Sequence, residues 1–255
     1  MVVKPADKAD NIEESAFDVA LEQLDRDALE KMRVAGETAL EIKAVLAKTG
    51  DNVVGELLRD KGTFYEWNHY PDGDVYDKDS GSQFFYHAHP ADLRVGEHGH
   101  FHTFMRPAGM PDHVSPAEVT DFEMPDDPTD ALSHLIGISM NEAGEPICLF
   151  TTNRWVTGEI WYKGEDVIEL TGMFEITHAQ PSWPVNRWLN AMVRLYAFEI
   201  AALIKERDGV VEKWVPAPAE DGSAPTVFED RTLEVTSYKM ISVPDRVDRI
   251  RAVLG

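Results

Sequence analysis

Along the first sixty residues, apolar positions recur at helical spacing. Val19, Leu21 and Leu24 open the pattern, Leu29 and Met32 continue it, and Leu40, Ile42, Val45 and Leu46 follow before Gly50. Ser15 with Asp18 has the spacing of a capping box, Gly50 suits a helix stop, and Asp51 suits the cap of a short helix through Val54, Leu57 and Leu58. From about 62 to 178 the pattern changes to strand-like runs. Phe64–Tyr70 reads as a strand ended by Pro71-Asp72-Gly73-Asp74. Further strands are expected at His134–Met140, Pro146–Trp155, Glu159–Tyr162 and Val167–Thr177, with Asn141–Glu145 as a turn. The helical period then returns. Pro184 suits a first turn, Val185, Leu189, Met192, Tyr196, Ile200 and Leu203 line one face, and Gly209 suits the end. A polar loop with Pro216, Pro218 and Pro225 leads to a strand, Leu233–Val243, and a short terminal helix. Consecutive strands flanked by helices predict one α+β domain over 1–255, with a helical region at 1–60, a β-rich core at 62–178 and a closing region at 182–255. The sheet should be antiparallel and strongly curved, a curved sheet or half-barrel in the middle of the chain.

Within the β-rich stretch, two segments carry histidine in strict alternation. These are Tyr86-His87-Ala88-His89-Pro90 and Glu97-His98-Gly99-His100-Phe101-His102, and they hold five of the nine histidines of the chain. Side chains alternate faces along a strand, so each set shares one face. An antiparallel hairpin turning through Pro90, Asp92 and Gly96 sets His87 opposite His100 when His89 faces His98, with His102 opposite Phe85. Three or four of these rings then converge on one point. Imidazole is the commonest metal ligand and binds as the neutral base. The expected ligands are His87, His89, His98, His100 and His102, and a thiolate-free imidazole set suits Zn, Fe, Cu or Ni. Glu97 has the opposite parity, and a bulge at the strand start would re-aim it as ligand, base or orienting carboxylate. Arg154, in Thr151-Thr152-Asn153-Arg154-Trp155, is the candidate anchor for a substrate carboxylate or phosphate. His69 and His134, on neighbouring strand candidates, are further candidates for the site.

Composition narrows the setting. The chain has 255 residues and a net charge of −22, a surface that repels nucleic acid and anionic membranes and attracts cations. The one cysteine, Cys148, lies in the apolar run Ile147-Cys148-Leu149-Phe150, so neither a disulfide nor a Cys-x-x-Cys zinc motif is available. With no signal-like apolar segment and no long apolar run, a cytoplasmic protein is the expectation. The acidic stretch from Asp72 to Gly81 fails the spacing of an EF-hand loop.

His87-Ala88-His89 on a strand with a nearby Glu97 resembles the site type of the cupins, metal-binding β-barrels with a His-x-His pair, a Glu and a later His. Here Glu97 lies eight residues beyond His89, and the run at 98–102 is foreign to that pattern. The strings His87-Ala88-His89-Pro90 and Glu97-His98-Gly99-His100-Phe101-His102, with Thr151–Trp155, are similar to those of an uncharacterised family of bacterial proteins. That resemblance implies no activity. The residues themselves favour a metal-dependent enzyme acting on a small molecule, with oxygenase, isomerase and hydrolase all open. A non-catalytic metal- or haem-binding protein and a metal-free, pH-responsive interaction protein are the alternatives.

Overall fold

The computed structural model describes residues 12–90, 94–119, 124–216 and 225–255. Asp92 of the expected hairpin turn, Pro218 of the expected late loop and the residues before Ile12 lie outside them. Among the described residues the architecture is mixed α+β. Six strands, β1 (Tyr70–Tyr76), β2 (Ser82–His87), β3 (Gly99–Met105), β4 (Ser133–Met140), β5 (Pro146–Thr152) and β6 (Val235–Met240), form one open antiparallel sheet in chain order. Seven helices lie before, between and after them: α1 (Arg26–Ala47), α2 (Val53–Leu58), α3 (Arg154–Thr157), α4 (Gly164–Met173), α5 (Trp183–Leu195), α6 (Ala197–Lys213) and α7 (Val243–Leu254).

Strand parity gives the sheet two different faces. Phe84, Tyr86, Phe101, Met105, Ile136, Ile138 and Leu149 point to one side, where they join the main core with Val185, Trp188 and Leu189 of α5 and Leu203 of α6. The other side carries Phe85, His87, His100 and His102, followed across the register by Gly137, Ser139, Cys148, Phe150 and Tyr238. Cys148, Phe150, Val235 and Tyr238 form a second, smaller apolar cluster there. At Gly137 the bare backbone makes room for a ring, because a Cβ would sit 2.3 Å from Phe150 Cζ. Phe150 thereby lies across the sheet with its edge on His100 and His102, ring centres 5.2 and 5.7 Å away.

The helices form for local reasons. Asp25 caps α1 by accepting from Ala28 N at 2.7 Å, and α1 buries Leu29, Met32, Ala35 and Ala39. Asn52 caps α2, accepting from Val54 N and Gly55 N. Asn190 of α5 both accepts from and donates to the Ile176 backbone, which ties the segment after α4 to the helix layer. No helix among the described residues is long and apolar enough to cross a membrane.

Several boundaries differ from the periodic reading. Residues 64–69 lie outside the sheet, and the first strand is Tyr70–Tyr76, with an irregular register between Tyr70 and Val75. Pro71 is accommodated because β1 is an edge strand. The expected strand at Val167–Thr177 is the helix α4. Val167, Leu170 and Thr171 are buried at helical spacing, and Glu165 and Asp166 occupy the first turn. Glu159–Tyr162 pairs only by isolated bonds, Ile160 N to Leu132 O and Ala117 N to Trp161 O. The long helix after Pro184 breaks at Tyr196, and its second half runs through Gly209 to Lys213. The first regular helix begins at Arg26, well past Ser15, whose backbone instead donates to Tyr238 O beside β6.

Asp77 fixes the turn between β1 and β2. Burial raises its carboxyl, but bonds from the Thr177 backbone and hydroxyl, then from Ser80 and Asp79, outweigh it and hold the carboxyl below its ordinary value. A lowered carboxyl stabilises the fold at pH above its unfolded value and loses that contribution as pH falls through the folded one. Asp77→Asn should therefore cost about 1–3 kcal/mol at neutral pH, with the gap to the parent closing below about pH 4. Urea midpoints at several pH values measure this, and a gap independent of pH would contradict it. Gly137→Ala should cost about 1–3 kcal/mol by overpacking against Phe150, and an unchanged midpoint would show that the ring has room to move.

Candidate metal centre

The hairpin of β2 and β3 builds the centre. His87 pairs directly with His100, and Phe85 with His102, so the two strands present His87, His100 and His102 on the face away from the helix layer. His89 lies just past the end of β2 and still joins the group. One ligating nitrogen from each of His87, His89 and His100 lies within 4.8 Å of the other two, and the Nε2 atoms of His87 and His100 are 2.6 Å apart. Tetrahedral zinc with bonds of about 2.0–2.1 Å spaces its nitrogens by about 3.3 Å. The observed separations bracket that spacing, from 2.6 Å up to 4.8 Å.

These rings are held neutral, the form that coordinates metal. Burial lowers His87 to about 3, helped by His89, His69 and Arg94. Burial and then Arg94 lower His89 to about 4. His100 is fully buried and pushed well below the ordinary range by desolvation, then by Arg94.

Glu97 supplies the orientation. A turn in which Glu97 N donates to Arg94 O carries both side chains under the histidine face, and Glu97 Oε1 lies 2.6 Å from His100 Nδ1. Because β3 begins only at Gly99, strand parity does not govern residue 97. With Nδ1–H directed to the carboxylate, His100 presents the Nε2 lone pair toward His87, the carboxylate–histidine arrangement found behind metal-bound imidazoles. Arg94 is buried beside it. Its Nη1 lies 3.4 Å from Glu97 Oε1, and its Nη2 donates to Glu234 Oε1 at 2.5 Å.

His102 stands alongside, its ring centre 4.8 Å from that of His100 and 5.3 Å from that of His87. Its Nδ1 is 2.9 Å from His134 Nε2. His134 is anchored through its backbone N–H, which donates to Glu159 Oε2 at 2.6 Å, and Thr152 Oγ1 lies 3.5 Å from its Nδ1. Burial pushes the Glu159 carboxyl up to about 8, against the pull of Arg207.

Of the remaining candidates, His69 borders the group, its ring centre 5.7 Å from that of His87, and the others lie apart from it. His98 precedes β3 and turns to the core side, where its Nδ1 is 2.7 Å from the Tyr86 hydroxyl and its ring packs near Phe64. His69 stacks on Phe85 at 3.6 Å between ring centres, with its Nδ1 held by Asp74 at 2.9 Å. Arg154 opens α3 and is engaged by Glu229 at 2.5 Å. Arg94, Glu234 and Glu159 were not singled out by the sequence. Arg94 sits between the histidine strings and was findable by position. Glu234 is 140 residues from Arg94 and carries no local signal. Cys148 is buried on the same face, and burial raises its thiol far above the ordinary range, which leaves it unsuited to thiolate chemistry.

Sheet order and histidine placement together define an α+β protein with an imidazole-rich centre on one sheet face. The chain belongs to the family described as Domain of unknown function (DUF6969), whose model matches residues 33–241. That span includes both histidine strings, the carboxylates and the whole six-stranded sheet. Searches of curated proteins and of solved structures return no match.

Replacing Glu97 by Gln keeps the shape of the side chain and removes its charge. Loss of such an orienting partner typically costs 10–100-fold in metal affinity. Glu97→Gln should show that loss for zinc or nickel in competition titrations with a chelator. Unchanged affinity would mean that His100 needs no orienting partner.

Proposed function

We propose that His87, His89 and His100 bind one divalent transition metal and that the protein uses it to act on a small molecule. The observation that carries this reading is the convergence of three imidazole nitrogens within 4.8 Å, one of them backed by a buried carboxylate at 2.6 Å. Three protein ligands leave a coordination position open, the pattern of catalytic rather than structural zinc sites. The donor set suits zinc, iron, copper or nickel. A metal bound there would polarise a carbonyl or activate water, or activate dioxygen if redox-active. Glu97 fixes the tautomer of His100, Arg94 lies against Glu97, and His102 with His134 forms an adjoining wall. Arg154, the other candidate, pairs with Glu229.

Elemental analysis of untagged protein, beside His87→Ala, His100→Ala and His98→Ala, tests the reading. The parent and His98→Ala should hold about one equivalent of metal. His87→Ala and His100→Ala should lose it, together with any rise in melting temperature on metal addition. A parent that holds no metal and binds none on titration would overturn the proposal.

A further inference from the structure

Beside the histidine centre lies an open cleft of about 870 Å³ formed by residues 61–74. Its size falls within the roughly 300–1,000 Å³ of small-molecule sites. Two aromatic rings present themselves to it. Tyr65 is 60% exposed and Trp67 56% exposed, and both line the cleft. Trp67 also holds a left-handed backbone, φ 69°, which a bulky side chain adopts at a cost. Its N–H donates at 2.9 Å to the carbonyl of Ala88, the residue between His87 and His89, and its ring packs on His89 with centres 4.4 Å apart. The cleft is thus joined to the proposed ligands through Trp67.

The polar lining narrows the ligand. Asp74 is occupied by His69 at 2.9 Å and by Gln83 at 2.8 Å. Lys61, Asn68 and Asp72 line the cleft too, and their side chains make no hydrogen bond or ion pair to the described residues. Lys61 offsets only one of the two carboxylates, Asp72 and Asp74, so the lining disfavours an anion, and the unpaired Asn68 amide and Asp72 carboxylate call for a partner with several hydrogen-bonding groups. An amide, an ammonium and a carboxylate around exposed aromatic faces suit a ligand with an apolar ring face and an edge of hydroxyls that both donate and accept.

We propose that this cleft binds a neutral polyhydroxylated molecule, a sugar or polyol, stacked on Tyr65 and Trp67 and presented to the histidine centre. The inference builds on the proposed metal reading, since that centre is what would act on the bound molecule.

The test is saturation-transfer NMR with glucose, mannose and glucitol. Tetramethylammonium and benzoate serve as charged probes. The measurement uses the parent, Trp67→Ala, Tyr65→Ala, Asp72→Asn and His87→Ala. At least one neutral probe should bind the parent more tightly than either ion. Affinity should fall by about tenfold in both aromatic variants, and should also fall in Asp72→Asn. Because Tyr65 is exposed, its variant tests the cleft even if Trp67→Ala misfolds. No neutral binding, preference for an ion, or unchanged binding in Tyr65→Ala would overturn the proposal. Binding retained in His87→Ala while metal is lost would support a cleft formed independently of the metal. Metal in the parent without neutral binding would sink the cleft alone, and neutral binding in a parent unable to take metal would sink the centre alone.

Discussion

The structure depends on the backbone register between β2 and β3. With His87 opposite His100, one set of residues faces the helices and the other set faces away. The same ladder that delivers Phe84, Tyr86 and Phe101 to the core therefore delivers the imidazoles to the opposite side. A slip of one residue would exchange both sets at once, burying imidazole against α5 and turning large aromatics outward. Core packing and the convergence of the histidines are thus fixed by one constraint, and neither can be tuned without the other.

Burying so many imidazoles together requires that they be uncharged, and the surroundings enforce this. Desolvation is the leading cause at every member of the group, and Arg94 adds to it at His87, His89, His100 and His102. A buried guanidinium needs its own counter-charges, which Glu97 and Glu234 provide. Positive charge is thus concentrated on the arginine, and the nitrogens beside it keep their lone pairs. Glu97 serves both groups, as counter-ion to Arg94 and as hydrogen-bond partner to His100.

What could be read from the chain alone follows from periodicity. The α+β class, the β4 and β5 strands and the terminal helix stand out because their patterns are long and regular. Alternation also gave the pairing of His87 with His100. Short apolar runs misled, and Val167–Thr177 reads as a strand because five of its eleven residues are β-branched, although the stretch to Met173 packs as a helix. Parity failed just outside β3, where a side chain is no longer tied to the pleat. His98 turns to the Tyr86 hydroxyl, and Glu97 swings under His100. Asp51 was the expected cap for α2, and the neighbouring Asn52 takes that place. Contacts across the chain, such as Arg94 with Glu234 and His102 with His134, have no one-dimensional signature, and no pattern of residue types would have paired them.

The bond from Arg94 to Glu234 also bears on the order of events during synthesis. The histidines of the hairpin are translated early, but the carboxylate that closes over Arg94 arrives 140 residues later, next to the last strand. During vectorial synthesis the imidazoles and the arginine must wait without their distant partner while β4, β5 and three long helices emerge. Until then Arg94 lacks one of its two counter-charges, and the histidine face is open on that side. The wall around the histidine face is therefore complete only after nearly the whole chain has been made, when the final edge of the sheet has docked.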